Sequence, residues 1–268
     1  MSKPDTITAY KAFGPDWKCR DFQYQVGGEY TTDAEPKACE SGFHACENPL
    51  DVLSYYDLTA SKFAEVELSG KIDRHADDSK IASASIKIKA ELSLSAFIGA
   101  AVGWLIKDTA WKAKNVDDAQ LASSGNYAKL ASSGDSAKLA SSGYSAQLAS
   151  SGYSAQLASS GDSAKLASSG DSAQLASSGD YAKLASSGYY AKLASSGDSA
   201  QLASSGKDGV IASAGIGATA KGADGTWISL AEFDANYKCI GFATGCIGKD
   251  GLKADTPYSA KDGKLVPA

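Results

Sequence analysis

Three cysteines and a histidine near the amino terminus are the residues best suited to metal chemistry. Cys19, Cys39, His44 and Cys46 are separated by nineteen, four and one residues. Thiolate sulfur and imidazole nitrogen are the ligands that zinc prefers in structural sites. The spacing lacks the Cys-x-x-Cys pair typical of such sites, so reduced thiols beside a hydrogen-bonded histidine are the competing interpretation. Zinc is therefore the one candidate cofactor, and we predict no other.

Six tyrosines form the second set of candidate functional residues, and all of them lie in a repeated segment. Tyrosine offers a large contact area and a polar hydroxyl at a low cost in conformational entropy, so exposed tyrosines are typical of binding surfaces. We predict that these side chains form a protein- or glycan-binding strip, and the alternative interpretation is that these turn aromatics shield one end of the stack. They are Tyr127, Tyr144, Tyr153, Tyr181, Tyr189 and Tyr190.

The segment that carries these tyrosines repeats a nine-residue unit over residues 121–206. Each unit reads Leu-Ala-Ser-Ser-Gly, then two variable residues, then Ala and Lys or Gln. A helix would rotate successive leucines by half a turn and leave no apolar face, whereas a strand followed by a turn fits the period. In such a strand the Leu, the eighth-position Ala and the third-position Ser alternate with Lys or Gln and the second-position Ala.

A unit with one Leu cannot form a core alone, so we predict that the units stack into an all-β parallel solenoid of the β-roll or β-helix type. Two units per coil would give a flat two-sheet roll, and three would give a triangular prism. The small inward side chains favour two units, whereas the order of Lys and Gln favours three. A calcium-binding roll needs Gly-Gly-x-Gly-x-Asp, which Ser-Ser and Tyr interrupt here, so we expect no calcium.

The segments around the repeat divide the chain into four predicted parts. An α+β head has a short helix beginning at Asn48-Pro49 and alternating strands at 62–68 and 80–89. An apolar helix then caps the open end of the solenoid, whose strand edges would otherwise promote aggregation. A small antiparallel β cap follows the repeat. The predicted boundaries are 1–93 for the head, 94–112 for the helix, 113–222 for the solenoid and 223–268 for the cap.

Charge and hydropathy exclude several classes of partner. The chain carries a net charge of −5, and the repeat contains five basic and five acidic residues. Without a basic excess we expect no nucleic acid partner. The N-terminal residues lack the apolar core of a signal peptide, and the apolar run 96–106 is too short to span a bilayer, so we expect no membrane contact and a cytoplasmic location. Unpaired sheet edges or faces favour a homodimer.

A specific stretch of the head carries a resemblance to a known family. The stretch 39–56, CESGFHACENPLDVLSYY, stands with FAEVE at 63–67, the Ser-Gly-Asp-Ser-Ala repeats and WISLAE at 227–232. This combination resembles an uncharacterised family found in bacteriophages, prophages and bacterial genomes. The resemblance implies a phage or mobile-element setting and no established activity. From that setting we expect a non-enzymatic interaction protein that binds a host protein, for example one of a defence system, and we assign no catalytic residues.

A second and more distant resemblance suggests a different function. Residues 42–68 are similar to the Gly-x-Tyr-Phe-Ala … Tyr-Cys … Glu-Val-Ala-Leu core of ADP-ribosyltransferases, with His44 near that family's aromatic residue. This implies, as an alternative, an enzyme or a degenerate nucleotide-binding protein in the head. The upstream His or Arg and the later acidic motif of that family have no secure counterpart here. A third hypothesis is a virion structural or adhesive protein in which the repeat is a spacer.

Overall fold

A computed structural model of the protein describes residues 6–108 and 117–268. The chain divides into two compact units, residues 1–97 and residues 98–268. Strands dominate both units, and the α-helices in the described part are α1 (Pro49–Val52) and α2 (Leu94–Asp108). Neither of these helices has the combination of length and apolarity that crossing a bilayer requires. The predicted helix boundary at residue 112 and the start of the solenoid at 113 lie outside the described residues.

The first unit is an antiparallel sheet that closes on itself. Its strands are β1 (Ile7–Phe13), β2 (Lys18–Cys19), β3 (Phe22–Gln23), β4 (Glu29–Thr31), β5 (Phe43–Cys46), β6 (Lys62–Arg74) and β7 (Lys80–Leu92). The sheet order is β4-β7-β5-β1-β6, and β6 also pairs with β7, which completes a ring of four strands. A separate hairpin joins β2 to β3. The inward side chains of the ring, including Phe13, Val66 and Ile86, form the core of the unit.

The head is sheet-rich, which corrects the predicted α+β class. Asn48 does cap α1, since its side-chain oxygen accepts a hydrogen bond from the backbone amide of Leu50 at 3.1 Å, and Pro49 begins the helix. The helix nevertheless ends at Val52. Shortly afterwards the carboxylate of Asp57 accepts hydrogen bonds from the amides of Thr59 and Ala60, which stabilises a turn. The remaining structure comes from strands longer than the alternation predicted.

The second unit contains the solenoid, and each coil has two strands. Its strands are β8 (Gln120–Ser123), β9 (Lys129–Ser132), β10 (Lys138–Ser141), β11 (Gln147–Ser150), β12 (Gln156–Ser159), β13 (Lys165–Ser168), β14 (Gln174–Ser177), β15 (Lys183–Ser186), β16 (Lys192–Ser195), β17 (Gln201–Ser204), β18 (Val210–Ser213) and β19 (Thr219–Gly222). Each strand pairs in parallel with the strand two units later, as Leu148 pairs with Leu166. The solenoid prediction is therefore confirmed, and the two-sheet roll is the form adopted.

The two parallel sheets enclose one core between them. The even-numbered strands from β8 to β18 form the front sheet, and the odd-numbered strands from β9 to β19 form the back sheet. The inward rows of Leu and Ala are buried in one continuous core between the sheets, as the alternation predicts. The third-position serines also face inward. From Ser123 to Ser168 their hydroxyls accept hydrogen bonds from the amide of the glycine two residues later, as Ser141 does from Gly143 at 3.2 Å.

The turns between strands stack as regularly as the strands do. A Cβ added to the fifth-position glycine of any unit from Gly143 onward would overlap the carbonyl oxygen of the glycine 18 residues earlier. The sixth-position acidic side chains link successive coils, since the carboxylate of Asp180 accepts a hydrogen bond from the amide of Asp198 at 2.8 Å. The seventh residue of each unit lies in the turn and adopts the left-handed region, with φ of 58° at Ser163. The glycine is therefore required by the stack and not by its own φ.

The chain after the solenoid adds two strands to each sheet, the first of which pairs in parallel with the solenoid and the other three antiparallel. They are β20 (Trp227–Phe233), β21 (Cys239–Cys246), β22 (Tyr258–Lys261) and β23 (Lys264–Pro267). The front sheet continues through β20 and β21, and the back sheet continues through β22 and β23. Within the second unit, α2 contacts the solenoid through Lys129, which lies 3.2 Å from the carboxylate of Asp108 and 4.8 Å from the ring centroid of Trp104. Lys129 faces outward from β9, so this contact does not show that α2 covers the open end of the solenoid. The end-capping role of α2 therefore stays a prediction.

Candidate functional sites in the head and on the solenoid

The head contains a cavity of about 870 Å³, which we call the head pocket. Strand β1 contributes Lys11, β5 contributes His44, and the start of β7 contributes Lys80. The segments around these strands add Cys19 and Cys39. Residues far apart in the chain meet here because the antiparallel ring brings β1, β5 and β7 side by side. Other residues that line the pocket include Arg20, Phe22, Tyr24, Cys46, Tyr55 and Tyr56.

Lys11 places a buried ammonium group at the wall of the pocket. Its side chain is 5% exposed, and Nζ donates hydrogen bonds to the carbonyl oxygen of His44 at 3.1 Å and to Sγ of Cys19 at 3.4 Å. Three aromatic rings surround the same nitrogen. They belong to Phe13, Tyr24 and Tyr56, at 5.5, 5.6 and 5.9 Å from Nζ to the ring centroid. Burial lowers the pKa of Lys11 below the ordinary value of a lysine.

Lys80 forms a second pair of an ammonium group and a thiol. Its Nζ donates a hydrogen bond to Sγ of Cys39 at 2.8 Å and lies 4.0 Å from the ring centroid of Tyr55. The hydroxyl of Tyr55 donates a short hydrogen bond to Asp78. Burial, together with this hydrogen bond, raises the pKa of Tyr55 to about 12. Tyr55 therefore stays protonated at neutral pH and keeps its ring against Lys80.

The four predicted zinc ligands line the same pocket but do not form a metal cluster. Sγ of Cys19 lies 2.8 Å from the hydroxyl of Tyr56, and the thiol of Cys39 faces Lys80. His44 places Nε2 3.3 Å from the carbonyl oxygen of Lys37, and Cys46 is buried. Across residues 6–108 and 117–268, no group of three or more His, Cys, Asp or Glu side chains is arranged to hold a metal ion. The thiols are thus arranged as lysine and tyrosine partners.

His44 is held in its neutral form by its surroundings. Burial is the largest cause that lowers the pKa of His44, and the cations of Lys11, Lys80 and Arg20 act in the same direction. The hydrogen bond with the carbonyl oxygen of Lys37 opposes them without reversing the shift. A neutral imidazole leaves the two buried lysines as the main positive groups at the inner wall of the pocket.

Replacement of Lys11 by Met is expected to flatten the pH dependence of head stability. The folded pKa of Lys11 lies below the ordinary value of 10.5, so between these two values the unfolded chain binds a proton that the folded chain does not. The free energy of unfolding must therefore rise with pH through that window. We expect wild-type protein to gain stability relative to Lys11→Met as the pH rises through the interval between the folded pKa and 10.5.

Urea unfolding of both proteins at several pH values measures this difference. Lys71→Met is the matched control, because Lys71 is an exposed lysine of β6 that pairs with Glu35. If Lys11→Met and wild type show the same slope, the buried ammonium of Lys11 does not limit head stability.

One signal for this pocket was present in the sequence, in the alternation of side chains along β1. The residue types considered as metal ligands did not reveal it. Ile7, Ala9, Lys11 and Phe13 alternate along β1, so a lysine occupies the face whose other members pack into the core. A charged residue on an apolar strand face is an indication of a site. Lys80 and the ring of Tyr55 could not be assigned to the same site, because their contact depends on pairings across the ring of strands.

The six predicted contact tyrosines are exposed, but they divide between the two edges of the roll. Turns that follow front-sheet strands form one edge, and turns that follow back-sheet strands form the other. Exposure ranges from 48% at Tyr144 to 64% at Tyr127, and these two rings meet edge to face at 5.9 Å. The first edge carries Tyr127, Tyr144 and Tyr181, whereas the second carries Tyr153, Tyr189 and Tyr190. The predicted single strip is therefore two strips.

A long shallow groove runs along the outer surface of the front sheet, and we call it the front groove. Its volume is about 1040 Å³, and it crosses six successive coils to end at Phe242 of β21. Exposed second-position alanines form its floor, and serines flank them. The alanines are Ala122, Ala140, Ala158, Ala176, Ala194 and Ala212. Sequence reasoning identified this row as outward-facing but did not recognise that it forms a groove.

Comparison with known proteins places part of the chain in context. Residues 7–100 match the model of a protein family described as a domain of unknown function, DUF7666. The matched stretch includes all strands of the head and ends within α2, so it does not extend to the solenoid. Neither the curated proteins nor the solved structures gave a match to the chain.

Proposed function

We propose that the protein is a non-enzymatic interaction protein whose solenoid binds a partner protein through the front groove. The observation that carries this proposal is an exposed trough of small side chains that continues without interruption over six coils. Alanine and serine let a partner approach the sheet closely and lose little side-chain entropy on binding. Because successive coils are paired strand to strand, the groove is a rigid and preorganised surface.

The charges around the groove favour a protein partner over nucleic acid. The flanking ninth-position row of the front sheet contains Lys138 and Lys192 among glutamines. Such sparse positive charge does not supply the dense phosphate contacts that nucleic acid binding requires. At the C-terminal end of the front sheet the exposed side chains become large and apolar. These are Val210, Trp227, Ile240 and Phe242, with exposed fractions of 46, 50, 58 and 56%.

This apolar end supports the groove as a binding surface. Aromatic residues at one end of an otherwise small-residue groove are suited to act as anchors for a partner. The phage or mobile-element setting implied by the sequence resemblance adds that the partner is a bacterial host protein met inside the host cell.

Quantitative capture from bacterial host lysate tests the proposal. Ala158→Arg combined with Ala176→Arg fills the centre of the groove with two large charged side chains at exposed positions, where the fold tolerates them. We expect the groove variant to recover at least about tenfold less of the partner than wild-type protein recovers, because a central contact surface is blocked. The matched control is Ala34→Arg combined with Ala60→Arg, two exposed alanines of the head.

Three results separate the hypotheses. Loss of the partner with the groove variant alone supports the front groove. Equal recovery with wild type and the groove variant contradicts it. Loss only when Tyr127, Tyr144 and Tyr181 are replaced together by Ser would instead assign binding to the first tyrosine edge.

A further inference from the structure

The head pocket carries a second and independent feature, which the binding of a protein by the solenoid does not use. Its inner wall holds two nearly buried ammonium groups, since Lys11 is 5% and Lys80 is 7% exposed. In the described part of the chain neither lysine forms an ion pair with a carboxylate. Lys11 donates hydrogen bonds to Sγ of Cys19 and the carbonyl oxygen of His44, whereas Lys80 donates to Sγ of Cys39 and interacts with the hydroxyl of Tyr55. Buried cations of this kind are stabilised when an anion enters beside them.

The acidic residues of the pocket do not neutralise these cations. Asp21 and Glu40 lie among its lining residues, and both are exposed. The carboxylate of Glu40 pairs with Lys37 at 2.8 Å. Arg20 adds a third positive group. The positive charge is therefore concentrated toward the interior and the negative charge toward solvent, which favours the entry of an anion.

Aromatic rings supply the other half of the recognition surface. Phe22 is 45% exposed and packs at 4.7 Å between ring centroids against Tyr24. Across the pocket, Tyr55 is 46% exposed and Tyr56 also lines the wall. Exposed faces of rings that remain held by neighbouring rings are suited to stack on a planar ligand group. A volume of about 870 Å³ is within the range of sites for organic molecules.

The backbone at the pocket is held in an uncommon conformation at two lining residues. Arg20 has φ of 54° and Cys39 has φ of 69°. Non-glycine residues adopt the left-handed region at a cost, and such residues cluster at ligand sites because the surrounding structure imposes the conformation. Here they carry a cation and a lysine-bonded thiol into the wall of one cavity.

We infer that the head pocket binds a small organic anion that carries an aromatic ring, with its charge at Lys11, Lys80 and Arg20 and its ring against the tyrosine and phenylalanine faces. A nucleotide and an aromatic carboxylate share this chemistry. Inorganic phosphate has the charge without the ring, and adenosine has the ring without the charge. Neither half should bind as well as the complete ligand, because each lacks one of the two interactions.

Isothermal titration calorimetry of the full chain with four probes tests the inference. The probes are adenosine 5′-monophosphate, 2-naphthoate, adenosine and inorganic phosphate. We expect one or both ring-bearing anions to bind with a dissociation constant below about 1 mM, and the monophosphate, if it binds, to bind about tenfold more tightly than adenosine or inorganic phosphate. Binding of only one of them identifies whether the anion is a phosphate ester or a carboxylate.

Charge-removing variants locate the binding. Lys80→Met and the exposed Arg20→Gln should each weaken binding by about tenfold, an effect that corresponds to about 1.4 kcal/mol. Lys71→Met should leave it unchanged. Arg20→Gln keeps the test decisive if Lys80→Met fails to fold, because Arg20 lies outside the core. The inference is overturned if neither ring-bearing anion binds, if adenosine binds as tightly as its monophosphate, or if Lys71→Met weakens binding as much as Arg20→Gln.

Discussion

Replacement of Gly170 by Ala is expected to destabilise the solenoid by about 3 kcal/mol, near the upper end of what overpacking costs. The added Cβ would overlap the carbonyl oxygen of Gly152 and approach that of Ser151 at 3.0 Å. Both atoms belong to the backbone of the neighbouring coil, so no side-chain rotation can relieve the overlap. Relief requires the coils to separate, which lengthens the strand-to-strand hydrogen bonds on both sides of the turn.

Gly125→Ala is the matched control for this effect. It makes the same change at the same repeat position, but the nearest atom to the added Cβ is Oγ of Ser123 at 3.6 Å. Neither glycine has a positive φ, so the two variants differ in the stacked neighbour and not in local backbone strain. Hydrogen exchange of the amides of β13 and β14, which donate across the separated coils to β11 and β12, should accelerate by about a hundredfold in Gly170→Ala, which corresponds to about 3 kcal/mol. Similar exchange in both variants would contradict the stacked-glycine account.

Replacement of Leu166 by Ala is expected to lower the free energy of unfolding of the second unit by about 3 kcal/mol, as cavity-forming substitutions in cores do. Leu166 is 1% exposed, and its parallel neighbours Leu148 and Leu184 are fully buried. The two-sheet core is thin, so the atoms around the cavity belong to strands that are already held in place by the hydrogen bonds of their own sheet. They cannot collapse inward without breaking register.

Leu121→Ala supplies the comparison for the core prediction. Leu121 opens the first unit, in strand β8 at the edge of the front sheet, and is only partly buried. Its truncation removes less buried surface, so we expect a loss of about 1 kcal/mol. Urea unfolding followed by circular dichroism should separate the two midpoints clearly. If both substitutions cost the same, burial in the solenoid does not follow the stacking order of the coils.

The solenoid was predictable because each unit repeats the same local choices. The single Leu, the small inward Ala and Ser, and the polar turn all indicated a strand-and-turn unit that must stack. The number of strands per coil was not predictable, since the order of Lys and Gln suggested three and the core size suggested two. The pairing of Leu148 with Leu166 fixes the coil at 18 residues. That coil length also explains why the six tyrosines divide between two edges.

The head illustrates the opposite case. The cap formed by Asn48 and Pro49 and the alternation of β6 and β7 are local signals, and they predicted elements at these positions. The head pocket depends on contacts between distant residues, such as Lys80 with Cys39 and Lys11 with Cys19. Cysteines and a histidine in sequence suggested zinc because their types match its ligands. The fold instead places lysines beside the thiols, which sequence spacing could not indicate.

Lysine acetylation footprinting is the most direct test of the claim that the front groove binds the partner. It is carried out on the protein in complex with the partner captured from host lysate. Lys138 and Lys192 lie exposed beside the groove, whereas Lys71 and Lys89 lie exposed on the head. Mass spectrometry compares the acetylation of each lysine in the free protein and in the complex. We predict that Lys138 and Lys192 lose acetylation in the complex while Lys71 and Lys89 do not. Protection of the head lysines, with Lys138 and Lys192 as reactive as in the free protein, would contradict the account.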